Sequence, residues 1–490
     1  MKKIGRVLIL AGFLVLILSI FIKLLFPAGV KADLLILKFS FHDISKAVNF
    51  SIDLLFAGFL FTYVSSHSYP DWKLLSLVFF GLTAFLKVLR YEFFLAPGYD
   101  LGNYASILHN IIRHGRLFDS LNGVHAFSGH VRPFLIPLST VFLIKESPIT
   151  LLVLQTAGVS LTIPIILKVG RLYSLDGKSV RYLMAIFISN MYLHHVNGFD
   201  FHLEAFAIPL ILLGIYFLER RTLTSALIVI LVTLTFKEDV AITWFSVGLY
   251  YLLVRKEFRI GIIVTVISAI YGMFAAYLIT RYVDFQTMQE AHYSSFPGIG
   301  SILSSSIRFF ASFGFLPLLD PGSVIAWTLP FLEHITSSRP HHYNIFYQYS
   351  ANLLPVVIWG TALALRRDFK FKDKLVALAI LFSVFHNPLS LYIDVSKVDF
   401  SRRNCLKKIL SEIPEGARVS CGNHISPHLA TRDGVFQFPL IDSVDYVIVD
   451  TSWHDFTPVD EDSAWKIINS LKMRYKTESR CGVLILKRRD

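Results

Sequence analysis

Three short acidic clusters, each at the end of an apolar segment, are the residues of this chain best suited to chemistry: Gly98-Tyr99-Asp100-Leu101, Phe199-Asp200-Phe201-His202-Leu203-Glu204 and Lys237-Glu238-Asp239. Ionised side chains beside hydrocarbon are costly, so carboxylates kept there ask for a functional explanation. Asp100 has the chemistry of a general base, while Lys237, His130 and Arg132 could steady a departing anion. Glu204, Asp200, Glu238 and Asp239, together with His202, could bind the polar groups of a substrate, and the four carboxylates could instead hold a divalent metal ion. Plainer roles stand beside these. Asp100 follows Pro97-Gly98 and precedes a helical pattern, so it could be an N-cap, and Asp200 or His202 could cap the segment that starts near Leu203. Lys237 could form a local ion pair with Glu238 or Asp239. His341 and His342 read as interfacial histidines rather than metal ligands.

The elements that must position these residues are membrane spans. The chain has 490 residues, 54% hydrophobic and 17% charged, with a mean hydropathy of +0.56. Its apolar runs repeatedly reach the roughly 20 residues that a helix needs to cross a bilayer. Lys2, Lys3 and Arg6 precede a run to about Phe26, which is longer than a signal-peptide core and lacks a small-x-small cleavage site. It reads as a retained helix with its amino terminus in the cytoplasm. Further spans are expected near 48–65, 73–91, 149–168, 180–196, 204–218, 222–236, 239–254, 259–279, 353–366 and 374–391, with 303–336 as a hairpin around Asp320-Pro321-Gly322. The reading is an α-helical polytopic membrane protein of about 11 to 13 transmembrane helices. Basic residues fall in alternate loops, among them Lys168, Arg171, Lys178 and Arg181, then Arg220 and Arg221, Arg255 and Lys256, and Arg366 and Arg367. By the positive-inside rule those loops are cytoplasmic, and all three acidic clusters lie on the other side.

Pro133 to Ile144 is apolar but, at about 12 residues and some 18 Å, too short to cross, so it reads as an interfacial helix. Residues 92–148 then form one external loop. Within it Leu101, Tyr104, Ile107, Leu108, Ile111 and Ile112 recur at helical spacing, the pattern of a second helix lying on the membrane. Hydropathy falls after about Leu391. Strand-like Arg418–Cys421, Tyr446–Asp450 and Gly482–Leu486 alternate with helical patterns over Ser401–Ile413 and Ala464–Tyr475, so residues 393–490 read as a small extracytoplasmic α/β domain. The organisation is therefore 1–91 N-terminal helices, 92–148 external loop, 149–392 transmembrane core and 393–490 soluble domain. In that domain Cys421 and Cys481 could pair, leaving Cys405 over. The net charge of +12 sits largely in short cytoplasmic loops and no nucleic-acid module is visible, so membrane lipids and phosphate-bearing lipids are the expected partners. No Gly-rich phosphate loop, His-Glu-x-x-His or Cys-x-x-Cys pattern occurs.

Several motifs in order resemble a prokaryotic family of predicted membrane proteins of unknown function, the DUF2079 family: Tyr99-Asp100-Leu101-Gly102, His130 with Pro133, Ser147-Pro148 through Gln155, Phe199 through Phe206, Lys237-Glu238-Asp239-Val240, Gln348-Tyr349-Ser350-Ala351 with Pro355, and Ser426-Pro427-His428-Leu429. The resemblance runs from about residue 90 almost to the C-terminus. More distantly, the order of elements is similar to the C-type glycosyltransferases (GT-C), which use polyprenyl-phosphate sugars. That likeness implies that Asp100 corresponds to the acidic residue of the first large outer loop and Glu204 to the one opening a later span. It also implies that Lys237 corresponds to the Lys of a Lys-Gly-Pro stretch, where this chain has Lys-Glu-Asp. The expectation is a membrane glycosyltransferase working on the outer face with a lipid-linked sugar as donor. The alternative is a non-catalytic transporter or lipid-binding protein. A transporter would favour ionisable groups near mid-span and an inverted repeat, whereas these acids sit at span ends.

Overall fold

The structure is a computed structural model and describes residues 1–25, 30–34, 37–41, 44–282, 293–386 and 388–489. The expected end of the first apolar run, at Phe26, lies outside them. Among the described residues five helices are long and apolar enough to cross a membrane: Lys2–Phe21, Trp72–Glu92, Pro148–Leu172, Phe258–Ile279 and Lys372–Leu391. Shorter apolar helices, Leu223–Leu234, Val240–Leu253, Ile299–Ala311 and Leu354–Leu365, pack among them. The hairpin around Asp320 is present as Ile299–Ala311 and Pro321–Ile335. Several starts are fixed by side-chain caps. Asp71 accepts from the amides of Lys73 and Leu74, Asp176 from that of Ser179, and Asp320 from that of Ser323, each giving an otherwise unpaired amide a partner.

Two expected spans carry an interruption, a one-residue turn at Leu161 within the continuous Pro148–Leu172 helix and a full break at Asn190. Segment 149–168 appears as Pro148–Ser160 and Thr162–Leu172, and segment 180–196 as Gly177–Ser189 and Met191–Gly198. At the second break Asn190 accepts from the amides of Tyr192 and Leu193 and donates to Ser312 Oγ at 3.0 Å. A short amide side chain that bonds its own backbone in this way restarts a helix rather than continuing it. The chain then turns at Asp200, whose φ of +27° is one that Asp tolerates better than bulkier residues, into the short 3-10 turn Leu203–Phe206. Glu204 is thereby set at the mouth of the Ala207–Glu219 helix.

The Leu101–His114 helix forms as its spacing predicts, and protein covers more of it than its apolar stripe. Leu101 and Leu108 are completely buried, and His109 and Asn110, on its polar side, are buried too. It is sandwiched between the bundle and the C-terminal unit, so its second face is covered by protein. The apolar stretch after Pro133 forms a short helix, Leu135–Ser139, and a 3-10 turn, Thr140–Leu143, and leaves Leu143 and Ile144 71% and 88% exposed.

The C-terminal unit is a five-stranded sheet in the order Val435–Gln437, Val419–Cys421, Tyr446–Asp450, Val483–Arg488, Tyr475–Arg480. The first two junctions are parallel and the last two antiparallel. Helices Phe400–Ser411 and Glu461–Leu471 accompany it. The cysteine expectation is corrected. The disulfide joins Cys405 to Cys481, with Cα atoms 6.5 Å apart, and Cys421 is the free one. Cys421 sits in a central strand with its side chain packed into the core, whereas Cys405 and Cys481 face each other from a helix and the turn between the last two strands.

Candidate functional site

Asp100 stands at the N-cap position of the Leu101–His114 helix, yet its side chain makes no capping bond. It faces His202 instead, with Oδ1 3.2 Å from Nε2. His202 is held in turn by its backbone amide, which donates to Gln155 Oε1 at 2.7 Å, while Gln155 Nε2 donates to the Val196 carbonyl. The loop carrying Asp100 is gripped by the C-terminal unit. Asn423 Oδ1 accepts from the amides of Gly98 and Tyr99 at 2.9 and 3.1 Å, and Asn423 Nδ2 donates to Asp455. Ser426 packs so closely on Gly98 that a side chain there would collide with its hydroxyl. The His428 ring stacks on Phe94 and Tyr91 with centroids 3.8 and 4.2 Å away.

The second half of the site is an ion network in the turn between the Leu223–Leu234 and Val240–Leu253 helices. Lys237 Nζ lies 3.4 Å from Glu204 Oε1 and 2.8 Å from Asp239 Oδ2. Asn352 donates to the other Asp239 oxygen at 2.8 Å. Glu238 accepts from the Val131 amide at 3.0 Å and pairs with His130 Nδ1 at 2.6 Å, which ties the 92–148 segment to the bundle. Burial works against charge on Lys237, but Asp239, Glu204 and Glu238 outweigh it and hold the ammonium well above its ordinary pKa. Burial likewise raises Glu238, and His130 and Lys237 outweigh it, so that this carboxylate is kept below its usual range. Arg132 lies over the Tyr104 ring at 5.1 Å.

Two cavities, each of about 560 Å³, meet along Gly129, His130 and Tyr349. The polar one is lined by Asp100, Asn103, Arg132, His202, Arg339 and Gln348 among others. The other carries Lys237, Glu238 and Asp239 at one end and Ala241, Ile242, Gly272, Ala276 and Ile279 along its wall. It runs on into an apolar groove between the Val240–Leu253, Phe258–Ile279 and Pro321–Ile335 helices, past Phe245, Met273, Leu329 and Leu332. Buried polar atoms without a hydrogen-bond partner among the described residues concentrate here: Asn103 Oδ1, Arg132 Nε, His202 Nδ1, both oxygens of Glu204 and Gln348 Oε1. Native interiors leave few such atoms, so a polar ligand is the economical partner for them.

Asp100, His202, Glu204, Lys237, His130, Arg132, Glu238 and Asp239 all border or support these chambers. Asp200 does not. It is buried behind His202, 3.8 Å from Arg90, whose guanidinium also donates to the Gly198 carbonyl. The four carboxylates considered as metal ligands are engaged by this chain's own cations: Asp200 by Arg90, Glu238 by His130, and Glu204 and Asp239 by Lys237. The Lys237 ammonium occupies the position between two carboxylates that a metal would need. Gln155, Tyr349, Asn352 and Asn423 emerge only from the structure as site residues. Gln155 and Tyr349 stand within motifs of the family pattern, which was the available signal, and Asn352 and Asn423 stand just beside two others.

A family model described as "Predicted membrane protein (DUF2079)" matches residues 90–308 and 303–484. No curated protein matches the chain. Among solved structures, that of ArnT from Cupriavidus metallidurans bound to undecaprenyl phosphate is similar, with a TM-score of 0.55 over 85% of this chain and 97% of ArnT at 11% sequence identity. The likeness is one of fold.

Proposed function

We propose that this chain, which belongs to the DUF2079 family of predicted membrane proteins and shares the fold of ArnT, is an integral membrane glycosyltransferase of C type that takes its sugar from a polyprenyl-phosphate donor. The observation that carries the reading is the junction of a polar chamber with an apolar groove that leads between helices. A ligand with a sugar, a phosphate and a long isoprenoid chain has that division of polarity. ArnT is bound to undecaprenyl phosphate, a ligand with the same charged head and isoprenoid tail.

In this reading the tail lies along Ile242, Gly272 and Ala276, the phosphate at the junction beside Lys237, His130 and Arg132, and the sugar in the chamber beside Asp100 and Glu204. Asp100 takes the proton of an acceptor hydroxyl as its oxygen attacks the anomeric carbon. The bond from that carbon to the phosphate oxygen breaks, and its electron pair leaves with the phosphate. The product is a polyprenyl phosphate whose added negative charge Lys237 and Arg132 offset. His202 holds the Asp100 carboxylate in place. Working on the non-cytoplasmic face follows from the loop charges.

The test compares polyprenyl-phosphate sugars and glycosylated products extracted from cells with the gene, without it, and with it restored. Deletion should raise a lipid-linked sugar and remove a glycosylated product, and restoration should reverse both. Identical profiles in all three would refute the transferase and favour non-catalytic lipid binding or transport.

A further inference from the structure

Away from the chambers, the far end of the Leu101–His114 helix and the C-terminal unit meet at His109, His114 and Asp433. Ligand atoms of these residues all lie within 4.8 Å of one another. His109 Nε2 is 3.2 Å and His114 Nε2 2.7 Å from the same oxygen, Asp433 Oδ1. The other nitrogen of His109, Nδ1, is taken by Glu146 Oε1, and Arg113 neutralises the second oxygen of Glu146 at 2.6 Å.

This arrangement constrains the protons. With Nδ1 donating to Glu146, a neutral His109 presents the Nε2 lone pair to a carboxylate oxygen, and two acceptors repel each other. The contact needs a positive charge between them. A second proton on His109, with a neutral His114 donating from Nε2, would bridge the same oxygen, the two rings lying 5.9 Å apart. A single divalent cation supplies it for all three groups at once. A carboxylate that fixes the tautomer and orientation of a ligating histidine is the usual outer support of a metal site, and Glu146 is so placed. Two imidazoles and a carboxylate suit zinc, whose bonds of about 2.0–2.2 Å at tetrahedral angles put ligand atoms about 3.3 Å apart. The His109 N···O separation of 3.2 Å matches that span, and the His114 separation of 2.7 Å would open by about half an ångström on binding. The guanidinium groups that line the cleft are directed elsewhere: Arg432 to the Pro414 carbonyl and Arg418 over the Phe436 ring.

We propose that His109, His114 and Asp433 form a zinc site that joins the external-loop helix to the C-terminal unit, with a fourth position open to the cleft. It stands independently of the glycosyltransferase reading. The metal would fasten the helix at the end opposite Asp100, completing the hold that Asn423 and Ser426 exert on its start.

The test uses the full-length protein in detergent, stripped with chelator, dialysed against zinc and then against metal-free buffer, with bound metal measured by mass spectrometry and thermal unfolding followed in parallel. Wild type should retain one zinc per chain and unfold at a higher temperature with it. Asp433→Asn and His114→Gln, both at exposed positions where folding is not at risk, should each weaken zinc binding at least tenfold and lose the thermal shift. Substituting Co²⁺ should give the visible absorption of a nitrogen- and oxygen-ligated site in wild type alone. Zinc retention in wild type no greater than in the His114→Gln/Asp433→Asn double variant would overturn the proposal and leave a network of histidines and carboxylates held by protons.

Discussion

Replacing Asp100 by Asn separates a catalytic carboxylate from a helix cap. The side chain makes no capping bond, and its one polar partner on the facing wall is His202 at 3.2 Å, so an Asn of the same shape keeps an oxygen for the imidazole and gives up only charge. The stability cost of such a change is about 1 kcal/mol or less. Against a total stability of about 5–15 kcal/mol it leaves nearly all of the protein folded. Loss of a general base costs roughly 100-fold to 10,000-fold in rate, which is about 2.7 to 5.5 kcal/mol in the barrier. The two effects differ enough to be told apart in one preparation. The assay measures thermal unfolding of the purified variant and, in cells at matched expression, the donor lipid and the glycosylated product. The expected result is near-unchanged melting with donor accumulation like that of the deletion. Wild-type product levels at equal expression would remove Asp100 from the mechanism.

Lys237→Met should be far more disruptive, because it strands Glu204 and Asp239 in a buried site, and breaking such a pair costs about 3–5 kcal/mol. Adding Glu204→Gln should recover part of the melting temperature but no activity, and full recovery of activity would show that the network serves stability alone. Gly98→Ala should lower activity at a stability cost of about 1–3 kcal/mol, since the new methyl group collides with the Ser426 hydroxyl and lies 2.8 Å from the Asn423 carbonyl oxygen. Kinetics and melting equal to wild type would mean that the loop before Asp100 gives way without consequence. Single cysteines in place of Arg116, Ser294 and Lys472 should react with an impermeant maleimide in intact cells, and one in place of Lys370 only after lysis. Protection of any of the first three would break the span parity.

The sequence makes the helices and the three acidic clusters legible because hydropathy and charge asymmetry are local signals, and each expected span has a helix over most of its length, five of them long and apolar enough to cross a membrane among the described residues. Breaks inside spans are harder to see. Asn190 is one polar residue in an apolar run, and its effect depends on Ser312, more than 100 residues away. The Leu101–His114 helix shows the limit of periodicity, since its spacing identifies a buried stripe but not what covers the opposite side. His109 is polar by type and buried beside Asp433 by the arrival of the C-terminal unit, and Asn110 is buried against Phe118 and Ser120 of the adjoining turn. Pairing of cysteines fails for a similar reason, as a helix and a strand turn separated by 76 positions leave no local trace of their contact. The edge strand Tyr475–Arg480 is missed because its mostly polar side chains are exposed and lack apolar alternation.

That same arrival alters what the C-terminal unit is for. Expected as a separate soluble domain, it meets the Asp100 helix at both ends. At the start Asn423 takes two amides and Ser426 fills the space over Gly98, and at the finish Asp433 meets His109 and His114. The motif Ser426-Pro427-His428-Leu429 touches neither chamber directly, yet His428 is stacked on Phe94 and Tyr91 at the root of the loop. A carboxylate at a loop–helix junction needs such external support if it is to be held within a few tenths of an ångström of a reacting hydroxyl. Here the helix cannot supply that support, because Asp100 gives its own start no cap. In the proposed transferase the C-terminal unit therefore belongs to the machinery that positions Asp100, and the groups that an acceptor would meet are those facing the polar chamber, Arg339, Gln348 and Tyr349 among them.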